Sequence, residues 1–537
     1  MWKPTKNLWA RLVKLFYPIR DSESDQETAQ RKRYILTALE RARNVADLPG
    51  VSLYLDDADS GVRSKARSAA HRVIRGATWQ DLIALENSIS SIGGWGSERV
   101  QDDYVLTRVV GRENSPSYLS LLAVFSFHRN GYVRHGAVRR LALSTDGFVL
   151  PFLMLRSNDW VQPIADDARE SLEKRFDALT PEQRQVVLPL LGYLNRCERR
   201  QFAALIESVL RNFLVPSRHD DAVATLNMNA RGIGRTFADI VFIVSGEHQA
   251  RLLPAGISSR VATVRIIFTK RMPGLLDQQE IASNCRRLQR DPVMAVRREA
   301  YRVEAQSRPA DAAEIWKRAM FDVSYALRDL ARFERARLGI SEHAACYSEA
   351  IQEHPDDYEA LLGLADTARE EDAELLRRYL THDFPSRRVH AVRGIGRALG
   401  EGAARDLLPR LNDDNRKVLR RVTAFLLLYP YLIDGEALLD LARSAVSLNA
   451  RLNTISVAAT CFAKWDSIVW LIRCAEIDDP IVSRRADQSI VSRLTCNRNF
   501  TKPSRENIET IERIVPDAQF LTPETKSLLL STLRLVT

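Results

Sequence analysis

The stretch DPVMAVRREAYRV, residues 291–303, decides how this chain is read. An Asp stands five residues before a Val-Arg pair, and an Ala follows four residues after the Val. The chain repeats the arrangement as DVSYALRDLA from Asp322, DDADSGVRSKA from Asp56 and DDNRKVLRRV from Asp413. Val and Ala four apart share one face of a helix, which predicts a buried stripe with a small residue at its closest approach. An Asp just ahead of that helix suits its N-terminus, where unsatisfied amides and the helix dipole favour a carboxylate. The Arg beside the Val can reach the Asp of a neighbouring copy, which predicts a ladder along a stack.

Setting the Val place as the key position gives strong copies at Val296, Leu327 and Val418, and weaker ones at Arg387 and Val482. The two double gaps are filled by Asp356 with Ala360 and by Ala450 with Thr454. The key series is then 296, 327, 356, 387, 418, 450 and 482, with steps of 29 to 32 residues. A fixed period in this range marks a solenoid, in which each unit buries its apolar face only against its neighbours. The phrases LLGLADTA and VRGIGRAL follow Ala360 and Ala391 in the same phase. Toward the N-terminus, Val62, Val133 and Val161 each have Ala four residues on, and the same counting puts a copy near Thr225.

These residues resemble HEAT repeats, and most nearly the short bacterial kind described as phycobilin-lyase-like. The resemblance is plain over 291–495 and weaker over 50–240. It implies an all-α, HEAT-like superhelical solenoid of antiparallel helix pairs, with the second helix of each pair on the concave face. Because that fold serves scaffolds, adaptors, DNA glycosylases and lyases alike, it implies no single activity.

The expected organisation is a basic amphipathic leader at 1–30, divergent repeats at 31–214, a bend or divergent repeats at 215–290, regular repeats at 291–500 and capping helices at 501–537. Within 215–274 the stretch DIVFIVSG, from Asp239, reads either as a strand or as part of a divergent helical pair. The leader places Leu8, Trp9, Leu12 and Phe16 on one helical side. That side serves as a cover for the first repeat or as a membrane or partner-groove contact.

At 537 residues the chain exceeds one ordinary core, and 45% hydrophobic with 27% charged residues suits a globular, water-facing protein. The six cysteines form no C-x-x-C pair, which points to reduced, mostly buried thiols in a cytoplasmic protein. The net charge of +10 favours anionic partners. It is unevenly spread. Residues 251–308 carry 12 Lys and Arg against 5 acids, 309–382 carry 9 against 16, and 387–421 carry 10 against 4.

No sequence pattern for chemistry emerges. The histidines lack metal-ligand spacing, neither RGIGR copy completes a dinucleotide fingerprint, and no nucleophile elbow is present. The paired Asp residues recur in the repeat phase, as turn residues do and a single catalytic pair does not. No catalytic residue, cofactor, metal or small-molecule substrate is therefore expected.

Candidate binding residues are the basic doublets Arg297-Arg298, Arg387-Arg388, Arg420-Arg421 and Arg484-Arg485. Each doublet serves either as a cationic groove for phosphates or as one ladder Arg plus one solvated charge. The stripe is broken by Asp329 and Tyr358 in the equivalent places. The reading that results is a non-catalytic scaffold or adaptor holding a protein partner along the concave surface. A nucleic-acid-binding member of a bacterial multi-protein machine ranks second, and a glycosylase-like or lyase-like enzyme last.

Overall fold

A computed structural model describes residues 25–89, 103–113, 115–176, 179–197, 202–229, 232–243, 246–445, 447–496 and 501–536. The leader residues Leu8, Trp9, Leu12 and Phe16 lie outside them. The described residues are helical throughout, with no strand among them. They cluster into two compact units, 1–303 and 304–537. Each is a stack of antiparallel helix pairs of the HEAT-like solenoid kind.

The C-terminal unit is the more regular. Its pairs are Ala312–Met320 with Tyr325–Arg337, His343–Glu353 with Tyr358–Thr367, and Ala373–Arg377 with Pro385–Leu399. Next come Ala404–Leu407 with Arg416–Leu426, Gly435–Ser444 with Leu448–Cys461, and Lys464–Ala475 with Pro480–Thr495. Each second helix packs against the second helix of the next pair, from Tyr325–Arg337 through to Pro480–Thr495. Two further helices, Arg505–Ile514 and Pro523–Val536, continue the first and second rows respectively. Ser504 caps the former, its hydroxyl accepting from the Asn507 amide at 3.1 Å.

The small-residue place is the most constant feature. Ala300, Ala331, Ala360, Ala391, Val422, Thr454 and Ala486 are all completely buried. Close packing extends to Gly363, where an added Cβ would fall within the Tyr347 ring. It extends also to Gly394, where one would stand 2.7 Å from Leu376 Cδ1. The key place is less constant. Val296, Leu327, Val418, Ala450 and Val482 are fully buried. At 356 and 387 the apolar expectation fails: Asp356 is exposed, and Arg387 reaches across to bond it at 2.7 Å.

The N-terminal unit corrects the phase in two places. Val62 with Ala66 and Val133 with Ala137 are buried as the spacing predicts. Val161, however, precedes its helix, Gln162–Glu173. The buried pair there is Ile164 and Ala168, five and nine residues after Asp159, as in the opening stretch. Thr225 ends a first helix, His219–Leu226, and the following helix Ile233–Val241 buries Ile233 and Phe237 instead. Among the described residues of the DIVFIVSG stretch there is no strand: Asp239 to Val241 end that helix and Gly246 opens the next. The two RGIGR copies also differ. Gly232 starts a helix with a left-handed φ of 73°, whereas Gly394 and Gly396 lie inside one.

Candidate functional site

Most turns into second helices are built the same way. A side chain five residues before the key place accepts the backbone amide two residues on. Asp159 accepts from Val161 at 3.0 Å, Asp291 from Val293 at 2.8 Å, Asp322 from Ser324 at 2.7 Å and Asp413 from Asn415 at 2.9 Å. Where the acid is replaced, another acceptor does this work. His128 Nδ1 takes the Asn130 amide, Ser259 Oγ the Val261 amide and His382 Nδ1 the Phe384 amide. Such a bond satisfies an amide that helix geometry leaves unpaired.

The Arg after the key place closes the turn from the other side. Its Nη1 donates to the carbonyl six residues back at Arg134, Arg265, Arg297, Arg328 and Arg388, over 2.7–2.9 Å. Arg63 does the same to Asp57 at 2.5 Å. The remaining nitrogens face the next copy. Arg134 pairs with Asp159 at 3.0 Å, Arg265 with Asp291 at 2.7 Å, Arg388 with Asp413 at 2.8 Å and Arg451 with Asp479 at 2.5 Å. The ladder is therefore present, and each Arg in these copies other than Arg451 also clamps its own turn. Burial pushes the Asp159 carboxyl up, but the Arg134 hydrogen bonds and the Arg156 charge outweigh it and hold the group below the usual carboxylate range.

The ladder is interrupted in informative ways. The place five before 356 is Ile351, buried in a first helix, so Arg328 has no turn carboxylate to meet. It pairs instead with Asp366 at 2.6 Å, deep in the stack. Leu419 and Ser483 occupy the Arg place in two later copies. Ser483 Oγ keeps the clamp by donating to the Ile477 carbonyl, six residues back, at 2.7 Å.

These placements divide the basic doublets. Arg297 and Arg388 are buried, and Arg387 is bonded to Asp356. Arg298 is half-buried. Arg420, Arg421, Arg484 and Arg485 are exposed and form no ion pair among the described residues. The last four sit two and three residues after the key places 418 and 482, while the buried Arg297 and Arg388 sit one after theirs. The doublets look alike in sequence but do not share a register.

The sequence reading missed a row of exposed apolar side chains at the starts of second helices. In the N-terminal unit these are Tyr132, Trp160 and Val293. In the C-terminal unit they are Val323, Tyr325, Phe384, Leu448 and Ile481. Their signal was present: each lies one to four residues before a key place. Several are backed by arginines. Arg134 lies 5.4 Å from the Trp160 ring centre, Arg387 lies 6.0 Å from that of Phe384, and Tyr325 has Arg332 at 5.8 Å and Arg393 at 5.4 Å.

No group of three or more His, Cys, Asp or Glu side chains among the described residues is placed to hold a metal. The repeated Asp residues are spent on turns and ladder bonds. All six cysteines are unpaired, but only Cys285 and Cys474 are buried, fewer than the sequence reading expected. No described helix is long and apolar enough to cross a membrane.

No protein-family model matches the chain, and no curated protein matches its sequence. Solved structures similar to it include Kap95p in a structure with RanGDP, at 11% identity and a TM-score of 0.36, covering 92% of this chain and 67% of that one. An importin beta structure is similar at 11% identity and a TM-score of 0.28, covering 98% and 68%. A structure from work on the interaction between cadherin and beta-catenin is similar at 13% identity and a TM-score of 0.29, covering 91% and 99%.

Proposed function

We propose that this protein is a non-catalytic scaffold or adaptor that binds a protein partner along its second helices, the concave side of a HEAT-like stack. The observation that carries the reading is the exposed apolar row at the helix starts. Scattered exposed apolar residues are ordinary, but recurrence within the four residues ahead of successive key places is not scatter. Tyr, Trp and Arg together are the side chains that anchor protein interfaces. Partner capture from a cytoplasmic extract by the wild type and by a V323S/F384S/I481S variant tests it. The expected result is loss of the captured protein at an unchanged melting temperature. Undiminished capture by the variant sinks the proposal.

A second reading rests on Arg420, Arg421, Arg484 and Arg485, four exposed guanidiniums free of ion pairs at matching offsets in two copies. Such charges suit a phosphate backbone, and binding of that kind falls steeply with salt. Labelled duplex and single-stranded DNA or RNA, titrated at two salt concentrations, distinguishes it. Tight binding at physiological salt that is abolished when all four are changed to Glu favours this reading over the first.

A further inference from the structure

Burying a guanidinium without a counter-charge is costly, and Arg cannot shed its proton to escape the cost. The helix Tyr325–Arg337 buries three of them, Arg328, Arg332 and Arg335, spaced four and three residues apart on one face. Arg393, from the helix Pro385–Leu399, joins them. One fully buried carboxylate serves the group: Asp366 lies 2.6 Å from Arg328, 3.5 Å from Arg332 and 2.7 Å from Arg393. Asp329, 3.1 Å from Arg332, adds an exposed one. Arg335 pairs with no carboxylate among the described residues. Its Nη1 donates to Met320 Sδ at 3.0 Å and Cys346 Sγ at 3.7 Å, and its buried Nε has no hydrogen-bond partner.

Two histidines register the resulting positive potential. Burial, then Arg393 and Arg328, push His390 down to about 4. Burial, then Arg335 and Arg332, lower His343. Elsewhere in the ladder carboxylates keep pace with buried guanidiniums: Arg134 and Arg156 share the buried Asp159, and Arg156 also meets Glu86. Here cations exceed anions. The excess reaches the surface at Arg393, whose side chain is 32% exposed, beside the exposed ring of Tyr325. Phe333, also exposed, lies two turns along the same helix.

We propose that this cluster is an acceptor site for a carboxylate carried on an acidic, apolar-flanked peptide segment of a protein partner. The inference rests on the protein-binding reading and specifies the chemistry of what is bound. Arg393 supplies charge-assisted donors to the incoming carboxylate, and Arg332 behind it adds positive potential. Tyr325 and Phe333 cover its apolar neighbours, which a bare phosphate backbone would leave unused.

The test is fluorescence anisotropy on the full chain with a short labelled peptide of Glu interspersed with Leu and Phe. Its Gln counterpart, inorganic phosphate and a short DNA duplex serve as comparisons. The acidic peptide is expected to bind, and its Gln counterpart to bind at least about tenfold more weakly. R393Q is expected to weaken the acidic peptide by a similar factor, and Y325A, at an exposed ring, to weaken both peptides without unfolding the chain. Melting temperatures identify any variant that fails to fold, and Y325A keeps the test decisive if R393Q does. Equal binding of the two peptides overturns the proposal, as does unchanged binding by both variants. Displacement of the peptide by phosphate or duplex in an Arg393-dependent way also overturns it, because the site then reads phosphate. If the peptide fails while V323S/F384S/I481S still abolishes partner capture, only this inference falls and the scaffold reading stands.

Discussion

Arg387 Nη1 donates to Asp356 Oδ1 at 2.7 Å, and its Nη2 donates to the Asp356 carbonyl at 2.8 Å. The two charged members of an otherwise apolar series are thus each other's partners, one copy apart. Their neighbour Arg388 is placed differently. It is held by Asp413, Asp414 and the His382 carbonyl, and Asp413 is nearly inaccessible. Adjacent arginines therefore differ in what their loss exposes. R387L leaves Asp356 in water and should change stability by less than about 1 kcal/mol. R388L strands a buried carboxylate and should cost about 3–5 kcal/mol. Urea unfolding of the two variants checks this, and equal losses would contradict the placement.

Close packing of second helices predicts intolerance of bulk. Ala331 is fully buried, and A331L should cost about 1–3 kcal/mol by overpacking. G363A should lose stability as well, because its methyl group would occupy the space of the Tyr347 ring. A melting temperature unchanged in both variants would mean that these helices do not approach as described.

Acid should weaken the C-terminal unit through His390. Burial, then the charges of Arg393 and Arg328, hold it near 4, against an ordinary value of about 6.5. Asp366 opposes them, and Arg421 adds to the depression. Because the folded value is the lower one, the unfolded chain binds the proton more readily. The stabilisation is complete above about pH 6.5 and is lost progressively as pH falls toward 4, on the order of 3 kcal/mol in all. H390Q should flatten the stability profile across that window. A profile as steep in H390Q as in the wild type would assign the loss to other groups.

Thiol reactivity should follow burial. Cys474 is buried, and burial pushes its thiol up to about 12. Cys496 is exposed. The thiolate is the reacting form, so a disulfide reagent should label Cys496 early and Cys474 only on unfolding. Mass spectrometry of the labelled peptides over time reads the order directly. Early labelling of Cys474 under native conditions would contradict its position.

Much of the architecture was legible because its determinants are local. An Asp meets the amide two residues on, and a Val and Ala four apart share a helical face, whatever the rest of the chain does. The buried small residues at 300, 331, 360, 391, 422, 454 and 486 follow from that spacing. The phase slipped at Val161 because that chain section also offers an Ala four residues on, and local spacing cannot rank two such pairs. Asp159, five residues before Ile164, marks the right one.

The candidate sites depended on partners distant in sequence. Arg297 and Arg388, one residue after their key places, turn inward onto their own loops, while Arg420, Arg421, Arg484 and Arg485, two or three residues after theirs, face water. A doublet therefore carries no meaning until its register is set by the stack. Arg328 has no turn carboxylate within reach because Ile351 fills that place, so it pairs with Asp366, 38 residues away. Arg393 arrives at the same carboxylate from another helix. The sequence by itself determined the helical pairs, their turns and their small-residue contacts, because those are set by interactions within a few residues. Only the tertiary structure decided which arginines are spent inside the stack and which remain free to bind, because charge pairing is settled by whichever carboxylate the packed helices bring nearest.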